Sequence, residues 1–142
     1  MYTYLLQDWT SLASPSTILT AKQTQDNWLS FSGFQDVVAW IQISDFTASA
    51  NITLKLETSP SEDEAFFATM KQQTITSTGV FALIVPAALA VQPLTNWVRW
   101  TVVAGNAVAW GLSFRVVLSL NAIERGFQAV RGQTAVAPLL GA

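Results

Sequence analysis

The fold is decided by residues 51–58, NITLKLET, in which apolar and polar side chains alternate without interruption. Ile52, Leu54 and Leu56 fall on one side of an extended chain, and the intervening polar and charged side chains fall on the other. Successive side chains of a β-strand point to opposite faces of a sheet. The stretch therefore predicts a strand with one face in a core and one face in water.

The same pattern extends along the chain on both sides of this stretch. Residues 37–43, VVAWIQI, place Val37, Ala39, Ile41 and Ile43 on one face. Residues 44–50 are small or polar and predict a connection, either a hairpin or a short arch. Further strands are predicted over residues 28–31, 65–70, 80–85, 96–104 and 109–120.

Gly105 and Asn106 separate the last two predicted strands, which is typical of a tight hairpin because both residue types accept positive φ. In total the chain carries about seven or eight short strands, with no amphipathic helix between them. This pattern predicts an all-β fold, an antiparallel β-sandwich or jelly roll.

The predicted β-sandwich domain comprises residues 26–120, flanked by two arms. Residues 1–25 are loosely patterned and are expected to form an N-terminal arm, and residues 121–142 a C-terminal arm. The C-terminal arm is apolar and carries no charge after Arg131, so we expect it to dock on a neighbouring chain; a frayed terminus is the alternative. The side chains expected to contact a partner are Tyr2, Tyr4, Trp9, Phe127, Leu139 and Leu140.

The composition argues against an enzyme. The chain has no His and no Cys, and only seven basic and nine acidic residues. These are the residue types on which acid–base catalysis near neutral pH, thiolate chemistry and most transition-metal sites depend. We therefore predict no catalytic residue, cofactor or metal. The acidic run at residues 62–64 lacks the spacing of a calcium loop and is interpreted as a solvated turn.

Charge and hydropathy also limit the partners. The net charge is −2 and the basic residues are scattered, which argues against nucleic acid. The most apolar stretch, residues 80–91, is shorter than the roughly 20 residues that span a bilayer, and the N-terminus lacks the basic start of a signal peptide. With 51% hydrophobic and 11% charged residues, we expect surface to be buried against other chains. A compact sandwich with a Ser, Thr and Gln surface is the alternative.

One strand combines aromatic and charged side chains. Residues 96–100, NWVRW, place Trp100 on the predicted core face, with Arg99 and Trp97 on the opposite face. The Arg99 guanidinium can stack on Trp97 or pair with a carboxylate of a neighbouring strand, such as Glu57. We predict a structural role for Arg99, Trp97 and Trp100. Exposed Trp side chains can also stack on sugars, as in carbohydrate-binding modules.

Three stretches resemble a pattern in small β-sandwich virion proteins of tailed phages: residues 54–67 (LKLETSPSEDEAFF), 97–100 (WVRW) and 112–118 (LSFRVVL). The resemblance implies a capsid decoration or cement protein, a trimer that binds the major capsid protein through its termini and strengthens the outer shell. It also implies a location on the virion surface after synthesis in the host cytoplasm. Two alternatives stay open: a carbohydrate-binding module of a tail fibre or secreted assembly, and a minor tail or connector component.

Overall fold

A computed structural model describes residues 1–14, 20–48, 51–105 and 109–123. These residues form nine β-strands and two single 3-10 turns, Gln25–Asn27 and Glu64–Phe66, and they contain no α-helix. The strands are β1 (Tyr2–Ser14), β2 (Thr20–Lys22), β3 (Leu29–Ser30), β4 (Phe34–Ala48), β5 (Ile52–Ser59), β6 (Ala68–Ile75), β7 (Gly79–Val85), β8 (Trp97–Ala104) and β9 (Trp110–Ala122). The all-β prediction is confirmed.

The strands pair into two antiparallel sheets. Sheet 1 has the order β1-β9-β4-β7, and sheet 2 has the order β2-β8-β5-β6. The short strands β2 and β3 pair with successive parts of β8 and so form one interrupted edge. Counted together they make eight strands, of which the first pairs with the last, the second with the seventh, the third with the sixth and the fourth with the fifth. This wrapped pairing is the jelly roll, and it confirms the predicted antiparallel sandwich.

The core lies between the two sheets and is built from alternate side chains of each strand. All four side chains predicted from residues 37–43 are buried, as are those predicted from residues 51–58. Trp100 of β8 packs edge-to-face on Phe114 of β9, with ring centroids 4.9 Å apart, and this contact joins the two sheets. The period-two pattern therefore identified the buried face of both strands correctly.

The predicted hairpin at Gly105 is wrong. Strand β8 lies in sheet 2 and β9 lies in sheet 1, so the connection crosses between sheets as an arch. Gly105 donates its backbone N–H to the Asn51 carbonyl at 2.8 Å, and a Cβ on Gly105 would stand only 3.3 Å from that oxygen. Glycine therefore favours this close approach to a second connection, since a larger residue would require a small shift of Asn51; Asn106 lies outside the described residues.

That second arch joins β4 to β5, which also lie in different sheets. Of the connection predicted at residues 44–50, the first five residues continue β4 as far as Ala48. They do so because Asp45 to Ala48 pair with β9, beyond a register shift that follows Ile43. The sequence allowed either a hairpin or an arch at this connection, and the structure contains the arch.

The residues expected to form an N-terminal arm include β1 and β2. Strand β1 is hydrogen-bonded along its length to β9 and contributes Leu6, 3% exposed, to the core. Register shifts between Leu5 and Gln7 and between Gln7 and Thr10 interrupt its alternation, which is why the sequence appears loosely patterned. At the other end, β9 runs to Ala122, and residues 124–142 lie outside the described part of the chain.

Candidate interaction surface

The side of sheet 1 that points away from the core carries apolar side chains from all four strands. Ala82 of β7, Trp40 of β4, Val117 of β9 and Leu5 of β1 stand in one cross-strand row. The neighbouring rows add Val38, Ile84, Val80 and Trp9. These eight side chains are called the outer face of sheet 1 below.

Much of this outer face is in contact with water. Leu5 is 49% exposed, Trp40 41%, Val80 63% and Ile84 57%. Scattered apolar side chains are normal on a protein surface, but a contiguous apolar patch marks a site of interaction. Because these residues lie in adjacent positions on paired strands, they form such a patch.

The charge at the centre of the outer face belongs to Arg115, and it is held in place by its neighbours. Its guanidinium lies 5.2 Å from the centroid of the Trp9 ring. Its Nε also donates to Gln42 Oε1 at 2.9 Å. The methylene groups of a stacked arginine add apolar surface while its charged end stays in contact with water. Arg115 therefore extends the patch instead of interrupting it.

Among the described strands, β7 is an edge of sheet 1, and it lacks the features that usually protect an edge. Its sequence, GVFALIV, has neither a charge nor a Pro, and it pairs with β4 without a register shift. Natural edges are normally protected by Lys, Pro or bulges, because an unprotected edge is a template for another strand. The opposite edge, β1, does carry two register shifts.

A second cluster lies on the outer side of sheet 2 and is centred on Arg99. Its Nε donates to Glu57 Oε1 at 2.8 Å, and Thr101 Oγ1 donates to the same oxygen at 2.8 Å. The guanidinium carbon lies 4.0 Å from the centroid of Phe67 and 5.2 Å from that of Trp28. The pairing with Glu57 is one of the two that the sequence allowed, while the aromatic partners come from loops and not from Trp97.

The acidic turn closes over this cluster. Glu64 Oε1 lies 3.6 Å from Arg99 Nη1, and Lys22 donates to the other oxygen of the same carboxylate. The hydrogen bond and the positive charge of Lys22, with a smaller contribution from Arg99, hold the pKa of Glu64 below its ordinary value. Arg99 is only 4% exposed. A guanidinium enclosed in this way fastens the turn to sheet 2 and is inaccessible to a ligand.

The described ranges offer no site for a metal ion. They contain no group of three or more acidic side chains that could hold a metal ion. Asp63 instead caps the turn by accepting the backbone N–H of Ala65 at 3.0 Å.

No helix in the described part of the chain is long and apolar enough to cross a membrane.

The N-terminal residues expected to contact a partner all lie on β1. Tyr2 packs edge-to-face on Phe34 with centroids 5.6 Å apart, and Tyr4 packs on Phe31 at 5.2 Å. Tyr2, Tyr4 and Trp9 remain 54%, 37% and 48% exposed. They are therefore anchored on one side and open to solvent on the other.

The other named residues are distributed differently. Trp100 is buried, and its Nε1 donates to Gln7 Oε1 at 3.0 Å, which ties β8 to β1. Trp97 is half-buried at the start of β8, paired with Ser30 and Ser59. Phe127, Leu139 and Leu140 lie outside the described residues.

The outer face of sheet 1 was not predicted from the sequence, although a signal for it exists. Residues 80–85, VFALIV, are apolar at every position, and residues 37–41 are too. In a two-layer sandwich only one face of each strand lies in the core, so a strand with apolar side chains on both faces leaves one apolar face outside the core. The second face must meet water or another chain.

The strand order and the outer face together define a jelly-roll protein with an apolar outer surface on sheet 1. No protein-family model and no curated protein matches the chain. The solved structures that are similar to it include two of infectious bursal disease virus. One is the infectious bursal disease virus VP2 subviral particle, with 16% identity, a TM-score of 0.42, and coverage of 85% of this chain and 32% of that chain. The other is the infectious bursal disease virus Gx strain, with 11% identity, a TM-score of 0.45, and coverage of 84% and 30%. The chain thus spans about a third of the length of each.

Proposed function

We propose that this chain is a non-enzymatic structural subunit of a virus particle, a decoration or cement protein that binds the major capsid protein and stabilises the outer shell. The observation that supports this role is the outer face of sheet 1, to which all four strands contribute apolar side chains, exposed on β1, β4 and β7 and half-buried on β9. Such a face is favourable when neighbouring subunits cover it, as they do in a shell. The virion assignment itself takes support from the sequence resemblance.

The jelly roll occurs in both viral capsid and lectin domains, so the fold agrees with the virion role and with the carbohydrate alternative. The chemistry of the outer face favours a protein partner. A sugar needs hydrogen-bonding groups placed around the aromatic ring. Three of the four nearest neighbours of Trp40 on this face are apolar, namely Val38, Ala82 and Val117, and the amide oxygen of the fourth, Gln42, already accepts from Arg115. Its own Nε1 already donates to Ser119 Oγ at 3.3 Å.

The proposed assembly is a trimer in which β1 and the C-terminal segment meet neighbouring chains. Tyr2, Tyr4 and Trp9 suit this role because each keeps a third or more of its surface exposed on an edge strand. An aromatic side chain already anchored by its neighbours loses little conformational freedom on binding. The low charge of the chain fits the same arrangement, since a subunit inside a shell is covered by others.

The deciding experiment is quantitative mass spectrometry of purified native particles, which counts copies of this chain against the major shell subunit. We expect copies in a simple ratio to the shell. A few copies per particle would indicate a tail or connector component instead, and absence would refute the virion role.

A binding assay then locates the contact. Recombinant Trp40→Lys protein is compared with Phe66→Lys on shells stripped of the chain. Phe66 is similarly exposed, at 58%, but belongs to the acidic turn on sheet 2. We expect Trp40→Lys to lose shell occupancy and Phe66→Lys to retain it. Equal occupancy would exclude the outer face as the contact.

A further inference from the structure

We propose that the free edge of β7 receives residues 124–142 of a second copy of this chain, which add an antiparallel strand to sheet 1. The inference rests on the proposed function in that it names the surface through which neighbouring subunits hold each other. It concerns contacts between copies and does not involve the major capsid protein.

The accepting surface is β7 together with the groove beside it. Strand β7 offers a seven-residue edge without a charge or Pro, and no described strand pairs with it on that side. The groove lies between this edge and β6, and it is lined by Met70, Ile84, Leu89 and Val91, with Lys71 also contributing. Leu89 is 84% exposed and Val91 is fully exposed. Backbone groups and apolar pockets side by side are what an added strand uses for affinity and specificity.

The donated segment has the length and composition for this surface. It comprises 19 residues, which extended span about 60 Å, against about 23 Å for the seven residues of β7. Glu124 is its only acid, and because successive side chains of a strand alternate, one of Leu139 and Leu140 supplies an apolar side chain for the groove. Pro138 lacks an N–H, so its presence would protect the new edge from further pairing.

The segment leaves the domain at the end of sheet 1 at which β7 also ends. Ile123 donates its N–H to the Gly33 carbonyl at 2.8 Å, so the described chain ends beside the start of β4. Val37, near that start, pairs with Val85, the last residue of β7. The composition favours a neighbouring copy as the donor, because a chain with 51% hydrophobic and 11% charged residues is expected to bury surface against other chains.

Hydrogen–deuterium exchange on the full chain tests the proposal, with the peptide that covers residues 79–85 as the readout. We expect exchange at high protein concentration to be about tenfold slower than after dilution to the monomer. The Leu139→Asp/Leu140→Asp and Ile84→Lys variants should exchange at the fast rate at both concentrations, and the Phe66→Lys control should behave as wild type. Protection that does not change with dilution would overturn the proposal, because it would place no second copy on β7.

Cross-linking identifies the occupant directly, because the chain has no Cys of its own. One copy carries Ala82→Cys and a differently tagged copy carries Thr134→Cys or Val136→Cys. On mixing and mild oxidation we expect a disulfide between the two tags, and none when Phe66→Cys replaces Ala82→Cys. A disulfide between two Ala82→Cys copies, with none to the C-terminal positions, would show that β7 pairs with itself and would refute the proposal.

The outcomes separate this proposal from the proposed function. If copies are counted on particles but β7 exchange is independent of concentration, this inference alone is refuted. If the disulfide forms but the chain is absent from particles, the virion role alone is refuted.

Discussion

Replacing Arg99 with Ala should destabilise the protein strongly. The Arg99 and Glu57 side chains are only 5% and 13% exposed, so the substitution leaves a nearly buried carboxylate with Thr101 as its remaining side-chain donor. Breaking a buried ion pair from one side costs about 3–5 kcal/mol, because the remaining charge is desolvated without compensation. The loss of the guanidinium from between Phe67 and Trp28 acts in the same direction. We expect the free energy of unfolding to fall by about 3–5 kcal/mol.

Urea unfolding followed by tryptophan fluorescence at one protein concentration measures this change. Arg115→Ala is the matched control, since Arg115 is half-buried and bonded to a neutral amide; it should cost about 1 kcal/mol or less. In a double-mutant cycle with Glu57→Gln, the two losses should be strongly non-additive. A loss below about 1 kcal/mol for Arg99→Ala would refute the view that this pair is buried and coupled.

Three further outcomes are expected. Phe114→Ala removes a fully buried ring and should cost about 3–5 kcal/mol in urea unfolding, whereas the exposed Phe66→Ala should change stability by about 0.5 kcal/mol or less; equal effects would contradict the packing described. Because folding lowers the pKa of Glu64, its contribution to stability is complete above the ordinary value of 4.5 and is lost as the pH falls through the lower folded value. The urea midpoint of Glu64→Gln should therefore depend less on pH below 4.5 than that of wild type, and parallel curves would count against the Lys22 contact. Deleting residues 131–142 should leave the circular dichroism spectrum of the sandwich intact but weaken particle binding, and unchanged occupancy would disprove a role for the segment.

The core was predictable because a strand in a two-layer sandwich must alternate. Ile52, Leu54 and Leu56 are recognisable from spacing alone, and all three are fully buried. The partner of each strand was not predictable in the same way. A short Gly-Asn connection suits a hairpin and an arch equally, and in both cases the flanking strands turn their apolar faces to the same core.

The candidate sites, like the fold, were predictable from the sequence only in part. The cross-strand pair of Arg99 and Glu57 follows from residue type and neighbouring strands. Phe67 and Trp28 could not be anticipated, since they approach from loops whose path depends on the whole fold. Strand β1 was missed because its two register shifts remove the period on which recognition of a strand depends.

The pairing of the first strand with the last also determines how the protein can be made. Tyr2 pairs with Leu120, and β9 lies between β1 and the rest of sheet 1. During synthesis β1 must therefore wait for roughly 120 further residues, about 6 to 24 s at ribosomal speeds, before its partner emerges. Contacts of such large sequence separation form slowly. Sheet 2 can pair first, and the yield of native protein then depends on keeping the nascent β1 from joining other chains.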